Sequence, residues 1–359
     1  MLYLRSAVTL LALTCSPSAA WIVGGGPISG SSQQQHQSAA SSSQQQQQRL
    51  RSPAAPPMMS AGAVTTAIEL PAPPVPKSSL AAWEVHKFGG ASLATADLYK
   101  ECSDLLVAES RRNAEATGSC APTMAIVSAK GGVTDKLIKV VQLARTDSVA
   151  AASEALKAVA KDQIDVVKEI SSPERAAEVE AIIASDSEDI INVVRAVSLL
   201  KTIPPSTMEL VTGYGEVWSA LTMHAYLDTL DVASAWLDAR EVLVVEQTGF
   251  GLGEKGSANV VGVDPLWAET AERVGEWFAA DSRSDLLASD CKNAAPIVVV
   301  TGFVAATLEG TPTTLKRSGS DYSATIFARL MGASKITMWK NVNGVYTCAP
   351  PPLIASDCL

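Results

Sequence analysis

The chain has 359 residues, of which 47% are hydrophobic and 18% charged, and its net charge is −9. This length and composition suit one large or two small globular domains with a sizeable core. The acidic balance argues against nonspecific binding to nucleic acids or anionic membranes. Six cysteines without a C-x-x-C pair and three scattered histidines argue against a structural zinc site or a disulfide framework.

The first 80 residues have the composition of a targeting leader. In residues 1–20 an apolar run, Ala7–Cys15, precedes small residues, which is the plan of a signal peptide and too short to span a bilayer as a mature helix. Residues 21–80 are rich in Ser, Gln, Ala and Pro, and no acidic residue precedes Glu69. We therefore predict a disordered transit-type leader with a Pro-rich linker. The combination favours plastid import, with secretion and mitochondrial import as alternatives.

From Trp83 onward, strand patterns alternate with helix patterns. We predict strands over Trp83–Phe88, Thr123–Ser128, Ala233–Leu237, Glu241–Val245, Pro296–Thr301 and Lys335–Trp339. We predict helices from a cap at Ser92 to about Arg112, over Asp135–Leu200 with a break near Ser171–Pro173, and over Glu216–Leu230, Pro265–Ala279 and Ser320–Met331. Apolar strands that alternate with helices indicate an α/β fold with a mostly parallel sheet covered on both faces.

Three segments rich in glycine and serine follow predicted strands. They are KFGGAS at Lys87–Ser92, SAKGGVT at Ser128–Thr134, and TTLKRSGSDYSA at Thr313–Ala324. A glycine turn between a strand and a helix directs backbone N–H groups at phosphate. One such turn is weak evidence, but loops at the carboxyl ends of parallel strands converge on one crevice, so the three together predict a ligand site there.

Five blocks in the same order resemble the aspartate kinases. KFGGAS is similar to the family's KFGGTS, VSAKGGVTD to VSAMGGVT, and TGYGEVWSA to its G-E-x-x-S-A segment. TTLKRSGSDYSA resembles TTLGRGGSDYSA, and WKNVNGVYTCAPP resembles WTDVDGVYTADPR. The sequences of these blocks are most similar to the kinase part of plant-type bifunctional aspartate kinase–homoserine dehydrogenases.

The resemblance implies an amino-acid kinase α/β/α sandwich over residues 81–352, incomplete at its C-terminal end, followed by an irregular tail at 353–359. It implies transfer of the ATP γ-phosphoryl group to L-aspartate, giving 4-phospho-L-aspartate in the first step of lysine, threonine, methionine and isoleucine biosynthesis. Mg²⁺ is expected to arrive with ATP, since no cluster of carboxylates forms a dedicated metal cage. A homo-oligomer is possible through family C-terminal domains that this sequence lacks.

The matching positions also imply roles for individual residues. Lys87 is expected to stabilise the transferring phosphoryl group, and Asp321 to orient Lys87 and the metal-nucleotide. The predicted substrate-binding residues are Ser128, Thr134, Glu216 for the ammonium, Arg317 for the α-carboxylate, and Ser320. The predicted nucleotide-binding residues are Gly89, Gly90, Ser92, Gly319, Lys340, Asn341 and Tyr346.

Several positions depart from the family pattern. Ala91 replaces a threonine, Lys130 stands where Met or Ala is common, and Asn341 and Asn343 replace acidic residues. These changes leave open a second hypothesis, a catalytically impaired subunit that binds aspartate or a partner. A third, a kinase acting on acetylglutamate or glutamate, fits the blocks less well. A G-x-G-x-x-G pattern at Gly251–Gly256 opens no predicted helix, so we predict a flexible loop there and no dinucleotide site.

Overall fold

The computed structural model describes residues 7–11, 83–117, 122–249, 261–280, 283, 286, 296–316 and 318–340. All of them belong to one of the two units into which the chain divides. The predicted site residues Arg317, Asn341 and Tyr346 lie outside the described residues. So do the transit-type leader and the loop at Gly251–Gly256.

A six-stranded sheet forms the centre of the fold. The described residues form ten strands: β1 (Ala7–Leu11), β2 (Glu84–Phe88), β3 (Thr123–Val127), β4 (Ser234–Leu237), β5 (Val245–Gly249), β6 (Val261–Pro265), β7 (Ile297–Thr301), β8 (Val304–Ala306), β9 (Pro312–Thr314) and β10 (Lys335–Trp339). The sheet order is β1-β10-β2-β3-β7-β4, and all of its pairs are parallel except β1 with β10. β5 pairs with β6 and β8 with β9 in separate antiparallel hairpins.

Eight helices accompany these strands in the described part of the chain. They are α1 (Ala96–Thr117), α2 (Val133–Thr146), α3 (Val149–Ile170), α4 (Pro173–Leu200), α5 (Pro205–Leu227), α6 (Ala239–Val242), α7 (Trp267–Ala279) and α8 (Gly319–Leu330). Two 3₁₀ turns, Gly90–Leu93 and Asp228–Leu230, complete the set.

Alternate residues of the central strands face opposite layers of helices. In β3, Met124 and Ile126 pack in a core with α7 and α8, whereas Ala125 and Val127 pack in a core with α1 and α5. This alternation is the period of a strand covered on both faces. A further core joins α2, α3, α4 and α5. The predicted α/β/α sandwich with a mostly parallel sheet is confirmed.

Several predicted boundaries are wrong. Ser92 does not cap a helix; it lies in a 3₁₀ turn, and the Thr95 hydroxyl instead accepts a hydrogen bond from the Leu98 N–H at 3.3 Å. The long helix predicted over 135–200 has the expected break before Pro173 and also a second one, where Ser148 caps α3 by accepting from the Ala151 N–H at 3.1 Å. Ser and Asp compete for backbone hydrogen bonds and so favour helix starts.

Three further errors lie near α5, α6 and α7. α5 begins at Pro205, eleven residues before the predicted start at Glu216, because proline is suited to the first turn of a helix. The predicted strand over 241–245 begins with the helical turn α6, for which the Asp238 carboxylate accepts from the Arg240 N–H at 2.9 Å. The predicted helix start at Pro265 falls instead in the last residue of β6.

The edge of the sheet beside β10 is occupied by part of the predicted leader. Ala7 pairs with Trp339 and Leu11 with Lys335 in an antiparallel ladder. This pairing covers backbone groups that an open edge strand would expose. The assignment of residues 1–20 as a signal peptide stays a prediction. None of the helices in the described ranges is long and apolar enough to cross a membrane.

Candidate active site

A cavity of about 670 Å³ opens where the predicted glycine loops come together. The predicted site residues that line it are Lys87, Gly90, Ser128, Thr134, Glu216, Gly319, Ser320, Asp321 and Lys340. Gly89 and Ser92 are not among the lining residues. Ser92 is buried, and its N–H donates to the Gly89 carbonyl at 2.9 Å inside the 3₁₀ turn.

The first two glycine loops lie so close together that side chains are excluded. A Cβ on Gly90 would lie 2.7 Å from the Ala129 carbonyl oxygen, and one on Gly131 would lie 3.1 Å from the Gly90 carbonyl oxygen. Gly132 has a φ of +79°, a conformation that glycine adopts without strain. The approach of the β2 and β3 loops therefore requires glycine at position 90 and leaves little room for a side chain at position 131, whereas at position 132 it is the backbone conformation that favours glycine.

One end of the cavity, which we call the lysine end, consists of Lys87, Asp321 and Lys340. The Lys87 Nζ lies 2.7 Å from one Asp321 carboxylate oxygen, and the Lys340 Nζ lies 2.7 Å from the other. Lys87 comes from the buried strand β2, Lys340 follows β10, and Asp321 occupies the first turn of α8. Two lysines, one in β2 and one just after the neighbouring strand β10, are thus ion-paired with a single carboxylate at the start of α8.

Burial and charge act in opposite directions at the lysine end. Burial lowers the pKa of Lys87, although the hydrogen bond and the negative charge of Asp321 oppose the shift. Burial also acts to raise the pKa of Asp321, but hydrogen bonds from Lys340 and Lys87 outweigh it and leave that pKa below its usual value. Asp321 is therefore ionised at neutral pH and neutralised by its neighbours.

The other end, which we call the glutamate end, is the buried Glu216 side chain of α5. Burial raises its pKa to about 8, against hydrogen bonds from the backbone of Ala129 and Glu216 and the positive charge of Lys87. Its Oε2 atom has no hydrogen-bond partner among the described residues. A buried carboxylate of this kind is stabilised as an anion by a cationic ligand, which fits an ammonium group.

Two serine hydroxyls connect loops at the cavity wall. The Ser128 hydroxyl, just after β3, donates to the Ser320 hydroxyl at the start of α8 at 2.9 Å. Thr134 lies in the first turn of α2 and also lines the cavity. The structure therefore brings these three predicted substrate residues to one site.

Several lining residues were not predicted as site residues. Lys130 is buried, and its Nζ lies 2.7 Å from the Asp162 carboxylate, which also binds Lys136 at 3.1 Å. Phe303 and Lys316 line the cavity with positive φ angles of 68° and 60°. The sequence signals were a lysine inside a Gly-rich turn for Lys130 and the basic pair at 316–317 for Lys316; Phe303 had none.

The charges of the cavity fit a phosphate-bearing nucleotide. Lys87, Lys130, Lys316 and Lys340 are among its lining residues, and cations with backbone N–H groups are the usual partners of phosphate. Within the ranges that the structure describes, no group of three or more His, Cys, Asp or Glu is placed to hold a metal ion. Asp321 is the lining carboxylate nearest to the lysines at this end of the cavity.

The sequence profile of the amino acid kinase family matches residues 82–353. The chain belongs to this family. It is 31% identical over 278 residues to the maize chloroplastic bifunctional aspartokinase/homoserine dehydrogenase 2, covering 77% of this chain and 26% of the relative. It is 28% identical over 269 residues to the Arabidopsis thaliana chloroplastic aspartokinase 1, covering 74% of this chain and 41% of that protein.

A solved structure shares the fold of this kinase domain. It is Escherichia coli aspartokinase III in complex with aspartate and ADP, with a TM-score of 0.54 and 23% identity. The match covers 72% of this chain and 48% of that one. The chain thus spans about a quarter of the bifunctional relative and less than half of the aspartokinases.

Proposed function

We propose that this amino acid kinase domain is an aspartate kinase. It would transfer the γ-phosphoryl group of ATP to the β-carboxylate of L-aspartate and produce 4-phospho-L-aspartate and ADP. The observation that carries the proposal is the pairing of a cationic end, Lys87–Asp321–Lys340, with a buried acidic end, Glu216, in one cavity. A phosphoryl donor matches the first and an amino acid matches the second.

Phosphoryl transfer to a carboxylate needs charge neutralisation and alignment more than covalent help. Lys87 would bind the transferring phosphoryl oxygens, where its charge gains strength from burial. Asp321 would hold Lys87 and Lys340 in place through its two carboxylate oxygens. Mg²⁺, which would arrive with the nucleotide, would further neutralise its phosphates, and Asp321 is the residue that we expect to orient it.

The acceptor would bind at the glutamate end. Glu216 would pair with the substrate ammonium, and the hydroxyls of Ser128, Thr134 and Ser320 would line the substrate pocket. The resemblance assigns the substrate α-carboxylate to Arg317 and the adenosine to Asn341 and Tyr346. Those three assignments rest on the sequence alone.

A direct assay tests the proposal. The purified chain is incubated with ATP, Mg²⁺ and L-aspartate, and aspartyl phosphate is trapped as the hydroxamate. Product that depends on both substrates supports the proposal, and acetylglutamate and glutamate serve as alternative acceptors. A preference for either of these would assign the chain to another amino-acid kinase.

The second candidate function is a binding subunit without turnover. It is favoured by Asn341 and Asn343, which replace acidic residues of the family motif. Calorimetry separates the candidates, because a binding subunit would bind aspartate and yield no hydroxamate at any ATP concentration. If the chain bound neither aspartate nor ATP, both candidate functions would be ruled out.

We also propose that the protein acts in the plastid, in the synthesis of the aspartate-derived amino acids. The composition of residues 1–80 and the chloroplastic relatives from maize and Arabidopsis support this location. A fluorescent protein fused to the C-terminal end of residues 1–82 should enter plastids. The same reporter fused to residues 83–359 should stay outside them, and secretion of the first fusion would contradict the proposal.

A further inference from the structure

Helix α5 carries a second carboxylate on the side that bears Glu216. Glu209 precedes Glu216 by seven residues, just under two helical turns, so the two side chains project from the same face. Glu216 reaches into the cavity, whereas Glu209 contacts β9 and the start of the segment that joins β9 to α8. The Glu209 side chain is only 15% exposed.

Both oxygens of Glu209 are bound by that segment. The Thr313 hydroxyl donates to Oε2 at 2.6 Å, and the Lys316 Nζ donates to Oε1. The Gln247 side-chain amide donates to the Thr313 hydroxyl at 3.1 Å, which fixes the hydroxyl from the other side. Glu209 therefore connects α5 to the end of β9 and to the loop that follows.

The loop held in this way has an unusual backbone. Lys316 and Ser318 have φ angles of 60° and 58°, although neither is a glycine. The left-handed region costs free energy for residues with a Cβ and persists where the surroundings hold it. The aspartate kinase motif TTLGRGGSDYSA has glycine at both positions, so this chain requires an external restraint that glycine does not.

The loop also determines the shape of the cavity. Lys316 and Ser318 line it, and Ser318 precedes the first turn of α8, which carries Asp321. The backbone N–H groups of Asp321 and Tyr322 donate to the Ser318 carbonyl at 3.0 and 3.1 Å. A change in the loop conformation would therefore move the start of α8 and the lysine end with it.

We propose that Glu209 is a positioning residue of the kinase site. Its ion pair with Lys316 and its hydrogen bond with Thr313 hold the left-handed loop and thereby fix the cavity wall to which α8 belongs. The structural part of this inference stands on the contacts alone. Its effect on acceptor binding and turnover rests on the proposed aspartate kinase function.

Hydrogen exchange with mass spectrometry tests the structural part in four forms of the chain: wild type, Glu209→Gln, Lys316→Gly and the double variant. We expect Glu209→Gln to speed hydrogen exchange of the peptide over residues 315–324 about tenfold. The reason is that Lys316, whose backbone is in the left-handed region, loses the ion pair that restrains it. In the Lys316→Gly background the same change should alter exchange by less than about twofold, since glycine needs no restraint.

A matched control is Glu180→Gln, which removes a glutamate 2.6 Å from Lys168 on the surface, away from the cavity. It should leave exchange of the 315–324 peptide unchanged. Equal acceleration by Glu209→Gln in both backgrounds, or none in either, would overturn the inference, because Glu209 would then not act through the loop conformation.

Kinetics test the functional part. Glu209→Gln should raise KM for aspartate and lower kcat, each by up to about tenfold, because the start of α8 carries both Ser320 of the proposed substrate pocket and Asp321 of the lysine end. In the Lys316→Gly background the same change should alter neither quantity by more than about twofold. If exchange responds and both KM and kcat stay unchanged, the loop does not position the start of α8 for the reaction, and the functional part of the inference is wrong. If the wild type shows no turnover, the proposed function fails, while the exchange result still decides whether Glu209 holds the loop.

Discussion

The two ends of the cavity use their carboxylates in opposite ways. At the lysine end, Asp321 lies between two lysines, and its pKa is below the usual value. At the glutamate end, Glu216 is buried with one oxygen unbound within the described residues, and its pKa is raised to about 8. The first carboxylate is ion-paired with two lysines, whereas the second has no ion pair within the described residues.

This difference separates a catalytic arrangement from a recognition arrangement. A preformed ion pair costs no reorganisation when charge develops during phosphoryl transfer, so the lysine end should contribute mainly to kcat. A buried carboxylate without a cation gains its partner only when a ligand arrives, so the glutamate end should contribute mainly to binding. Substitutions at the two ends should therefore have separable effects.

The largest effect is expected from Lys87→Ala. Turnover should fall by about a thousandfold or more, because the phosphoryl group loses its buried cation, while aspartate affinity should change little. The hydroxamate assay and calorimetry measure the two quantities. Lys157→Ala, which removes an exposed lysine paired with Glu154, is the control. A Lys87→Ala variant that kept its turnover would show that the lysine end is not catalytic.

The converse change is Glu216→Gln. Aspartate affinity should fall by about a hundredfold, because the substrate ammonium loses a desolvated anionic partner. Binding of a non-hydrolysable ATP analogue should remain within a few-fold of wild type. Calorimetry with each ligand measures both, with Glu154→Gln at an exposed site as control. Equal loss of both affinities would mean that Glu216 supports the whole cavity and does not recognise the acceptor.

The parts that could be predicted from the sequence are the central strands and the loops at their carboxyl ends. The strands β3 and β7 are mostly apolar runs, β2 and β10 are short β-prone segments, and glycines follow β2 and β3, so all four were predicted within a residue or two. Because these strands are parallel, their carboxyl ends meet, and Lys87, Ser128 and Asp321 came together as expected. Sheet geometry made this inference possible.

The errors arise where a helix cap competes with helix propensity, or where a contact joins residues that are far apart in the sequence. The Asp147–Ser148 break lies in an Ala-rich stretch with high helix propensity, and a single serine cap outweighs that propensity. The Glu209–Lys316 pair joins residues 107 positions apart in the chain. The ion pair between Lys340 and Asp321 likewise depends on the packing of α8 against β10, which no local sequence pattern encodes.

A smaller effect is expected at Lys340. The Lys340→Met variant leaves Asp321 bound to Lys87, so turnover should fall about tenfold, against about a thousandfold for Lys87→Ala. Its positive charge acts to lower the pKa of Lys87, so the variant should also raise that pKa. Steady-state kinetics from pH 7 to 10 would measure both. Equal losses for Lys340→Met and Lys87→Ala would show that the two lysines act as a single unit.

The smallest predicted effect concerns pH and tests the glutamate end directly. Glu216 has a pKa of about 8 and is therefore mostly protonated at pH 7. An ammonium ligand binds the ionised form, so binding releases a proton and affinity rises with pH. Between pH 7 and 8 aspartate affinity should rise about fivefold, the increase in the ionised fraction for a pKa near 8.

Calorimetry at pH 7 in buffers of different ionisation enthalpy would count the released proton, which should be close to one per aspartate. Glu216→Gln has no carboxylate to ionise, so its residual affinity should be flat over the same pH range and its proton release close to zero. A pH-independent affinity in the wild type would place an already ionised carboxylate at this position. The contrast between the two ends of the cavity would then be wrong, because Glu216, like Asp321, would be charged before any ligand binds.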